Sequence, residues 1–181
     1  MSFRVIAGEF RGRNLETPPG KDVRPTSGLV RGVIFNVLGD FIAGAAVLDC
    51  YAGSGALAIE ALSRGAERAV LVENHPASLE AIAQNISLLK LRDRTEVVRL
   101  DALSYLAGCD QRYGLILADP PYDLKATAEI VQHVAQRSML TDGGILAIQQ
   151  SSYDPVPDGF ETLRLWKHKQ HGKTAVNFYR Y

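Results

Sequence analysis

From Ala46 onward, short aliphatic runs alternate with longer amphipathic stretches. The runs at 46–50, 68–72, 95–100, 114–118 and 144–149 are brief and rich in Val, Leu and Ile, as expected of strands buried on both faces. The stretches at 54–64, 76–89, 102–107 and 124–137 carry helical spacing. This alternation predicts parallel strands joined by crossover helices, in the doubly wound α/β class. Ahead of it, residues 3–7 and 13–15 predict a small β-hairpin across Gly8 to Gly12, and Pro18-Pro19-Gly20 marks a loop from Asn14 to Asp22. Thr26 or Ser27 can cap a helix that runs to about Phe41. Behind it, Pro155 and Pro157 punctuate a loop. Strands near 160–168 and 174–180, joined around His171-Gly172-Lys173, predict an antiparallel hairpin on the sheet edge. No repeat or linker divides the chain, so the expected organisation is one domain over 1–181, with 1–24 as a basic hairpin-and-loop extension within it.

Composition narrows the setting. A chain of 181 residues can bury the core of one such domain. No apolar stretch reaches the roughly 20 residues of a membrane span, and Arg4 interrupts any signal-peptide pattern. Cys50 and Cys109 lack metal-ligand spacing and read as free thiols in a reducing compartment, so a cytoplasmic protein is expected. The net charge of zero hides segregation. Residues 1–31 carry six Arg/Lys against three Asp/Glu, residues 164–181 carry five and no acid, and nine bases face seventeen acids between them. Basic ends can neutralise phosphates and steer RNA. Arg4, Arg11, Arg13 and Arg24 at one end and Lys167, Lys169 and Lys173 at the other are the candidates, expected to flank the mouth of a site. The competing reading is two solvated surface strands. Lys90, Arg92 and Arg94 read as a solvated face at the opposite end of the strands.

The chemistry concentrates at strand ends. Asp119-Pro120-Pro121-Tyr122 follows the apolar run Leu115 to Ala118. Proline fixes φ, lacks an N–H and pushes the preceding residue out of the helical region, so Asp119 is held extended. The Asp119 carboxyl group and the Pro120 carbonyl can then accept from one amino group, with the Tyr122 ring covering a flat ligand. Upstream, Asp49-Cys50-Tyr51-Ala52-Gly53-Ser54-Gly55 reads as strand end and glycine turn. Gly53 and Gly55 allow close approach of a ligand, and Ser54 can cap the next helix. An acid at Asp49 repels a pyrophosphate but suits an ammonium or sulfonium. Glu73 ends the second strand, where a carboxylate can accept from ribose hydroxyls. Asp101, after the third, can accept from an adenine amino group or can cap the short helix that follows. Asp123 reads as an N-cap of helix 124–137.

Taken in order, glycine turn, ribose acid, adenine acid and D-P-P-Y form the pattern of S-adenosylmethionine-dependent amino-methyltransferases. The remaining blocks sharpen the resemblance. Arg4 to Leu15, then Arg24-Pro25-Thr26 with Arg31 and Phe35-Asn36, then Gly53 to Leu57 with Glu60 to Ala66, resemble the signatures of the RsmD family, the bacterial 16S rRNA guanine-N2-methyltransferases. The resemblance covers almost the whole chain. Gly32-Val33, Cys50-Tyr51 and Ala58 depart from the family's usual residues, and none of them removes a carboxylate or the D-P-P-Y.

The resemblance implies a Rossmann-like, mostly parallel seven-stranded sheet with an antiparallel C-terminal hairpin. It implies S-adenosylmethionine held by Asp49, Ala52, Gly53, Ser54, Gly55, Glu73 and Asp101, and catalysis at Asp119, Pro120, Pro121 and Tyr122. The reaction calls for no metal. The implied partner is small-subunit rRNA, in an assembling particle, with the enzyme acting as a monomer. Guanine offers adjacent N1–H and N2–H donors that suit a carboxylate, whereas adenine sets an N1 acceptor beside its amine. D-P-P-Y also occurs in DNA adenine-N6 methyltransferases, which stand as the alternative enzyme. A non-catalytic S-adenosylmethionine or nucleotide-binding module is the alternative of a different class.

Overall fold

The computed structural model describes residues 3–18 and 28–181, so Arg24 and the helix cap expected at Thr26 or Ser27 lie outside the described residues. β1 (Phe3–Arg4) and β2 (Asn14–Leu15) form the small antiparallel hairpin expected near the N-terminus. The main sheet contains β3 (Ala46–Cys50), β4 (Arg68–Glu73), β5 (Thr95–Arg99), β6 (Tyr113–Ala118), β7 (Leu140–Ser151), β8 (Gly159–Phe160), β9 (Leu163–His171) and β10 (Thr174–Arg180). Their order is β5-β4-β3-β6-β7-β10-β9-β8. The five strands from β5 to β7 are parallel, and β10 runs antiparallel between β7 and β9. The seven expected strands are therefore joined by an eighth, the two-residue β8 that pairs with the start of β9.

Helices α1 (Gly28–Leu38), α2 (Ala56–Ser63) and α3 (Pro76–Leu88) cover one face of the sheet, against Val47, Leu71, Leu115, Leu117 and Phe178. Helices α4 (Ala102–Gly108) and α5 (Thr127–Gln136) cover the other, against Leu48, Val70, Ile116, Leu146 and Tyr179. Inner strands buried on both sides cannot alternate apolar with polar, which is why they read as continuous aliphatic runs. The strand expected at 144–149 begins earlier, at Leu140, where it pairs with Tyr113 across a register shift. The helix expected at 124–137 begins later. A 3-10 turn at Tyr122–Leu124 and Lys125 in the left-handed region (φ 48°) separate it from the prolines, and Asp123 does not cap it.

Three buried polar residues fasten the N-terminal segment to this body. Glu60 on α2 is fully buried and accepts from the backbone N–H groups of Ile6 (2.7 Å) and Ala7 (3.0 Å) and from Arg64 Nε (2.8 Å). Ser63 accepts from Phe10 N–H and donates to the Ala7 carbonyl. Gly8 (φ 81°) packs so closely here that a Cβ would stand 1.8 Å from the Ser63 carbonyl oxygen, so no other residue fits. Asn85 on α3 donates to the carbonyls of Glu16 and Ser54 and accepts from Glu16 N–H, which links the segment to the glycine turn. Arg94 is not part of a solvated face: its guanidinium donates to the carbonyls of Leu62, Ala66 and Glu67, near the C-terminal end of α2.

Removing the Glu60 carboxylate strands two backbone donors and the Arg64 guanidinium. Glu60→Ala should cost about 2–4 kcal/mol in urea unfolding and release hydrogen-exchange protection at Ile6 and Ala7. Retained protection at both amides would show that the segment is held by other contacts.

Candidate active site

The parallel strands present their carboxyl ends along one edge, the place where such sheets bind ligands. Register sets what stands there. Asp49 pairs with Leu71 on β4 and Leu117 on β6, both buried against α1, α2 and α3, so its side chain points to that face. Asp119 follows Ala118 and Glu73 lies two residues past Leu71, so pleating sends both toward the same side. Three carboxyl groups thus gather over one face at the ends of three adjacent strands.

Asp49 is fully buried. Its Oδ2 accepts from Ala58 N–H at 2.9 Å, in the first turn of α2. It does the capping expected of Ser54. The N-cap position belongs to Gly55, in the left-handed region (φ 77°), one residue past Ser54, and no side chain caps the helix there. The Asp49 Oδ1 atom is buried with no hydrogen-bond partner. Burial, aided by the nearby Asp119 and Glu73 carboxyl groups and opposed by the Ala58 N–H, pushes this carboxyl up to about 8.

Glu73 shapes the turn. Its Oε2 accepts from Gly53 N–H at 2.8 Å, and its Oε1 accepts from the N–H groups of Asn74 and His75 at 2.9 and 2.8 Å. Ala52 N–H donates to the Val72 carbonyl, and Gly55 N–H to Ala52. The two glycines have different reasons. A Cβ on Gly55 would meet Leu71 at 2.9 Å, whereas one on Gly53 (φ 58°) would meet nothing within 4 Å. Gly55 lets the turn pack on the sheet, and Gly53 leaves open space beside it. Asp101 caps α4 through Ser104 N–H at 2.9 Å, so one of its oxygens is taken by the helix.

The D-P-P-Y turn is fixed at both ends. Asp119 N–H donates to the Cys50 carbonyl at 3.4 Å, and Asp119 is half-buried. The Tyr122 hydroxyl lies 2.9 Å from Thr174 Oγ1 on β10 and receives Gln149 Nε2 from β7 at 3.2 Å. Behind the turn, on the α5 side, a cleft of about 180 Å³ is lined by Pro121, Tyr122, Lys125, Gln150 and Pro155. Pro120 lines it as well, none of the three carboxyl groups does, and it is smaller than the roughly 300 Å³ of ordinary ligand pockets.

The basic residues do not all reach this edge. Lys169 pairs with Val176, which pairs with Gln149, so it lies level with the Asp119 end at a distance of roughly three strand spacings, about 14 Å. Lys173 follows the turn at Gly172 on the same edge. Lys167 sits lower, with its Nζ 4.0 Å from the Trp166 ring, and Arg180 lies over the same ring at 4.5 Å. Arg11 lies in the Gly8–Gly12 turn that packs on Ser63, and Arg13 directly follows it, at the opposite end of α2 from the glycine turn. They do not flank the edge that carries Asp119. Arg4 donates to Asn14 Oδ1, and its carbonyl accepts from the buried Arg31. His168 contacts Asn177 Oδ1 at 2.7 Å.

The family described as Conserved hypothetical protein 95 matches residues 3–180. The chain is also 33% identical over 178 residues to Ribosomal RNA small subunit methyltransferase D of Escherichia coli K12, covering 98% of this chain and 89% of that one. It belongs to the RsmD family. The protein of the same name from Haemophilus influenzae is 27% identical over 180 residues, with 98% and 93% of the two chains covered. Among solved structures, the E. coli protein described as "Putative methyltransferase yhhF" superposes with a TM-score of 0.88 at 33% identity, covering 99% of this chain and 97% of that one. Family membership agrees with the sheet order, the N-terminal hairpin and the antiparallel C-terminal strands seen here.

Sequence reasoning missed Gln149, Asn85 and Glu60 as organising residues. Glu60 stood in a recognisable block without a stated role. Gln149 and Asn85 carry no local signal, because their partners lie 27 and 31 to 69 residues away.

The buried Asp49 carboxyl makes a signed prediction. An unfolded Asp loses its proton near pH 3.9, while the folded one keeps it to about 8. Between those values the folded chain holds an extra proton, so this residue's contribution falls as pH rises, by up to about 1.4 kcal/mol per pH unit. Urea midpoints measured across that range should drop more steeply for wild type than for Asp49→Asn. Parallel curves would show that Asp49 is ionised in the fold.

Proposed function

We propose that this chain transfers a methyl group from S-adenosylmethionine to the exocyclic N2 of a guanine in small-subunit ribosomal RNA. What supports the reading is the gathering of Asp49, Glu73 and Asp119 on one sheet face beside a glycine turn with open space over Gly53. The E. coli and H. influenzae relatives are named as small-subunit rRNA methyltransferases, and the D-P-P-Y sequence is intact here.

The residues fit the cofactor on their own chemistry. The unpartnered Asp49 Oδ1 is an acceptor for an ammonium or sulfonium, and Gly53 leaves room for close approach. Glu73 orders the turn through three backbone N–H groups and keeps one lone pair, on Oε2, for a ribose hydroxyl. Ala52, Ser54 and Gly55 form the rest of the cradle, and Asp101 stands at the next strand end. When bound, S-adenosylmethionine supplies an electrophilic methyl on sulfur.

The chain's own work is at the acceptor amine. The lone pair of a nucleobase amine is delocalised into the ring, which makes it a poor nucleophile. Asp119 and the Pro120 carbonyl accept from its two hydrogens, favour a pyramidal nitrogen and stabilise the positive charge that develops there. Pro121 stiffens the turn. Tyr122, held by its hydroxyl, offers its ring to an extruded base. The proton leaves afterwards to Asp119 or water. Lys169 and Lys173 lie beside this edge and take RNA phosphates, while Lys167 is spent partly on Trp166. Arg24 lies outside the described residues, and its assignment to RNA, like that of Arg4, rests on the basic charge of the N-terminal segment. The setting is one cytoplasmic, monomeric domain acting on an assembling particle.

Two measurements test this. In methyl transfer to small-subunit rRNA particles, Asp119→Ala should nearly abolish turnover, with cofactor affinity within a few-fold of wild type, and Asp119→Asn should retain part of the activity. A wild-type rate in the alanine variant, or methylation of DNA adenine instead, would overturn the assignment. In RNA binding at several salt concentrations, Lys169→Ala/Lys173→Ala should flatten the salt dependence by about one slope unit for each phosphate that is no longer neutralised. Arg11→Ala/Arg13→Ala should leave it unchanged. The reverse result would place the RNA on the other end of the molecule.

A further inference from the structure

Gln149 occupies the strand end next to Asp119. Ala118 and Ile148 are paired across β6 and β7, so Asp119 and Gln149 are the next residues in adjacent strands. Gln149 pairs with Val176, which is buried against the α1 side, so its side chain shares that face with Asp119. It is 7% exposed. Its Nε2 donates to the Tyr122 hydroxyl at 3.2 Å, which leaves the hydroxyl proton for Thr174 Oγ1 at 2.9 Å. Its Oε1 is buried and has no hydrogen-bond partner.

A second orphan acceptor, Asp49 Oδ1, lies on the other side of Asp119, on β3. Tyr51 Oη and Gln150 Oε1 are also buried without partners, but Tyr51 packs with the α4 and α5 core and Gln150 shares a face with Ile148 there. The two orphans on the Asp119 face lie on strands that flank the proposed catalytic turn, and buried acceptors are ordinarily satisfied. Asp49 is tied to the first turn of α2 and is assigned above to the cofactor. The Gln149 side chain is tied to Tyr122, the residue whose ring would cover the base.

We infer that Gln149 is the specificity-determining residue of this site: its side-chain carbonyl accepts from the N1–H of the target guanine while Asp119 accepts from N2–H. This rests on the guanine-N2 reading above and deepens it. A carbonyl oxygen can accept from guanine N1–H. It has nothing to accept from a purine whose N1 is itself an acceptor, so the orphan stays unpaired with the wrong base. The same amide also steadies Tyr122, so a merely structural role must be separated from base reading.

The separation uses 2-aminopurine, which keeps an amine at C2 but has no N1–H. The guanine that wild type methylates is located by mass spectrometry, and RNA is prepared with guanine or 2-aminopurine there. Wild type should prefer guanine by at least about ten-fold in kcat/KM. Gln149→Leu should lose most of that preference, through a fall on guanine larger than the fall on 2-aminopurine. Gln149→Met, of matching length, should do the same. Thr174→Val removes only the other tie to Tyr122, so it should lower both rates together and keep the ratio. An unchanged ratio in the leucine and methionine variants would overturn the inference. So would equal rates on the two bases with wild type, a result that needs no variant to fold. Absence of any methylated guanine amine in the wild-type reaction would strike down the underlying reading as well, and is distinguishable because it appears before any variant is made.

Discussion

A carboxyl group sealed inside a parallel sheet is costly, and Asp49 is such a group. Its cost is offset once, by the first-turn N–H of Ala58, and one oxygen is left without a partner. Much of the site follows from that arrangement. Asp49 replaces the helix cap that Ser54 would have provided, so the turn before α2 is free to adopt the left-handed backbone at Gly53 and Gly55. That backbone brings the Gly53 N–H onto Glu73, and Glu73 in turn holds the start of α3 through Asn74 and His75. One acid therefore couples the ends of β3 and β4, the glycine turn and two helices. Its raised proton affinity comes chiefly from burial, with the neighbouring Asp119 and Glu73 carboxyl groups adding to it.

The N-terminal segment supports this turn from behind. Glu60 and Ser63 hold residues 6–10 on α2, while Asn85 joins Glu16 to the carbonyl of Ser54. The extension is thus wired to the backbone of the glycine turn, although its basic turn at Arg11 and Arg13 sits at the far end of α2. Of the basic residues singled out by charge segregation, Lys169 and Lys173 on the C-terminal hairpin lie at the Asp119 end of the sheet and those of this turn do not. A hairpin's register carries Lys169 and Lys173 to the strand ends, but nothing local in the sequence says which end of a helix a loop will dock against.

The same distinction between local and distant signals explains what could be read in advance. The strand and helix alternation, the D-P-P-Y turn and the carboxylates at strand ends were legible because each depends on periodicity or on the covalent limits of proline and glycine. Ser54 and Asp123 do not cap because the helices begin later than their sequence signals suggest, with Gly55 and Ala126 at the N-cap positions. Arg94 looked like solvated charge, yet its carbonyl partners at 62, 66 and 67 arrive only when β5 lies beside β4. Gln149 was invisible for the same reason. Its neighbours Tyr122 and Thr174 are brought to it by strand order, with β7 between β6 and β10.

The central claim is that these strand-end acceptors act on the amine of one guanine in small-subunit rRNA. Its most direct test is nucleoside mass spectrometry of that rRNA from cells carrying or lacking the gene. The account predicts that deletion removes one N2-methylguanosine while leaving other modified nucleosides and DNA N6-methyladenine unchanged, and that a plasmid copy restores it. An unchanged rRNA profile together with loss of DNA N6-methyladenine would contradict the account and assign the acceptors to adenine.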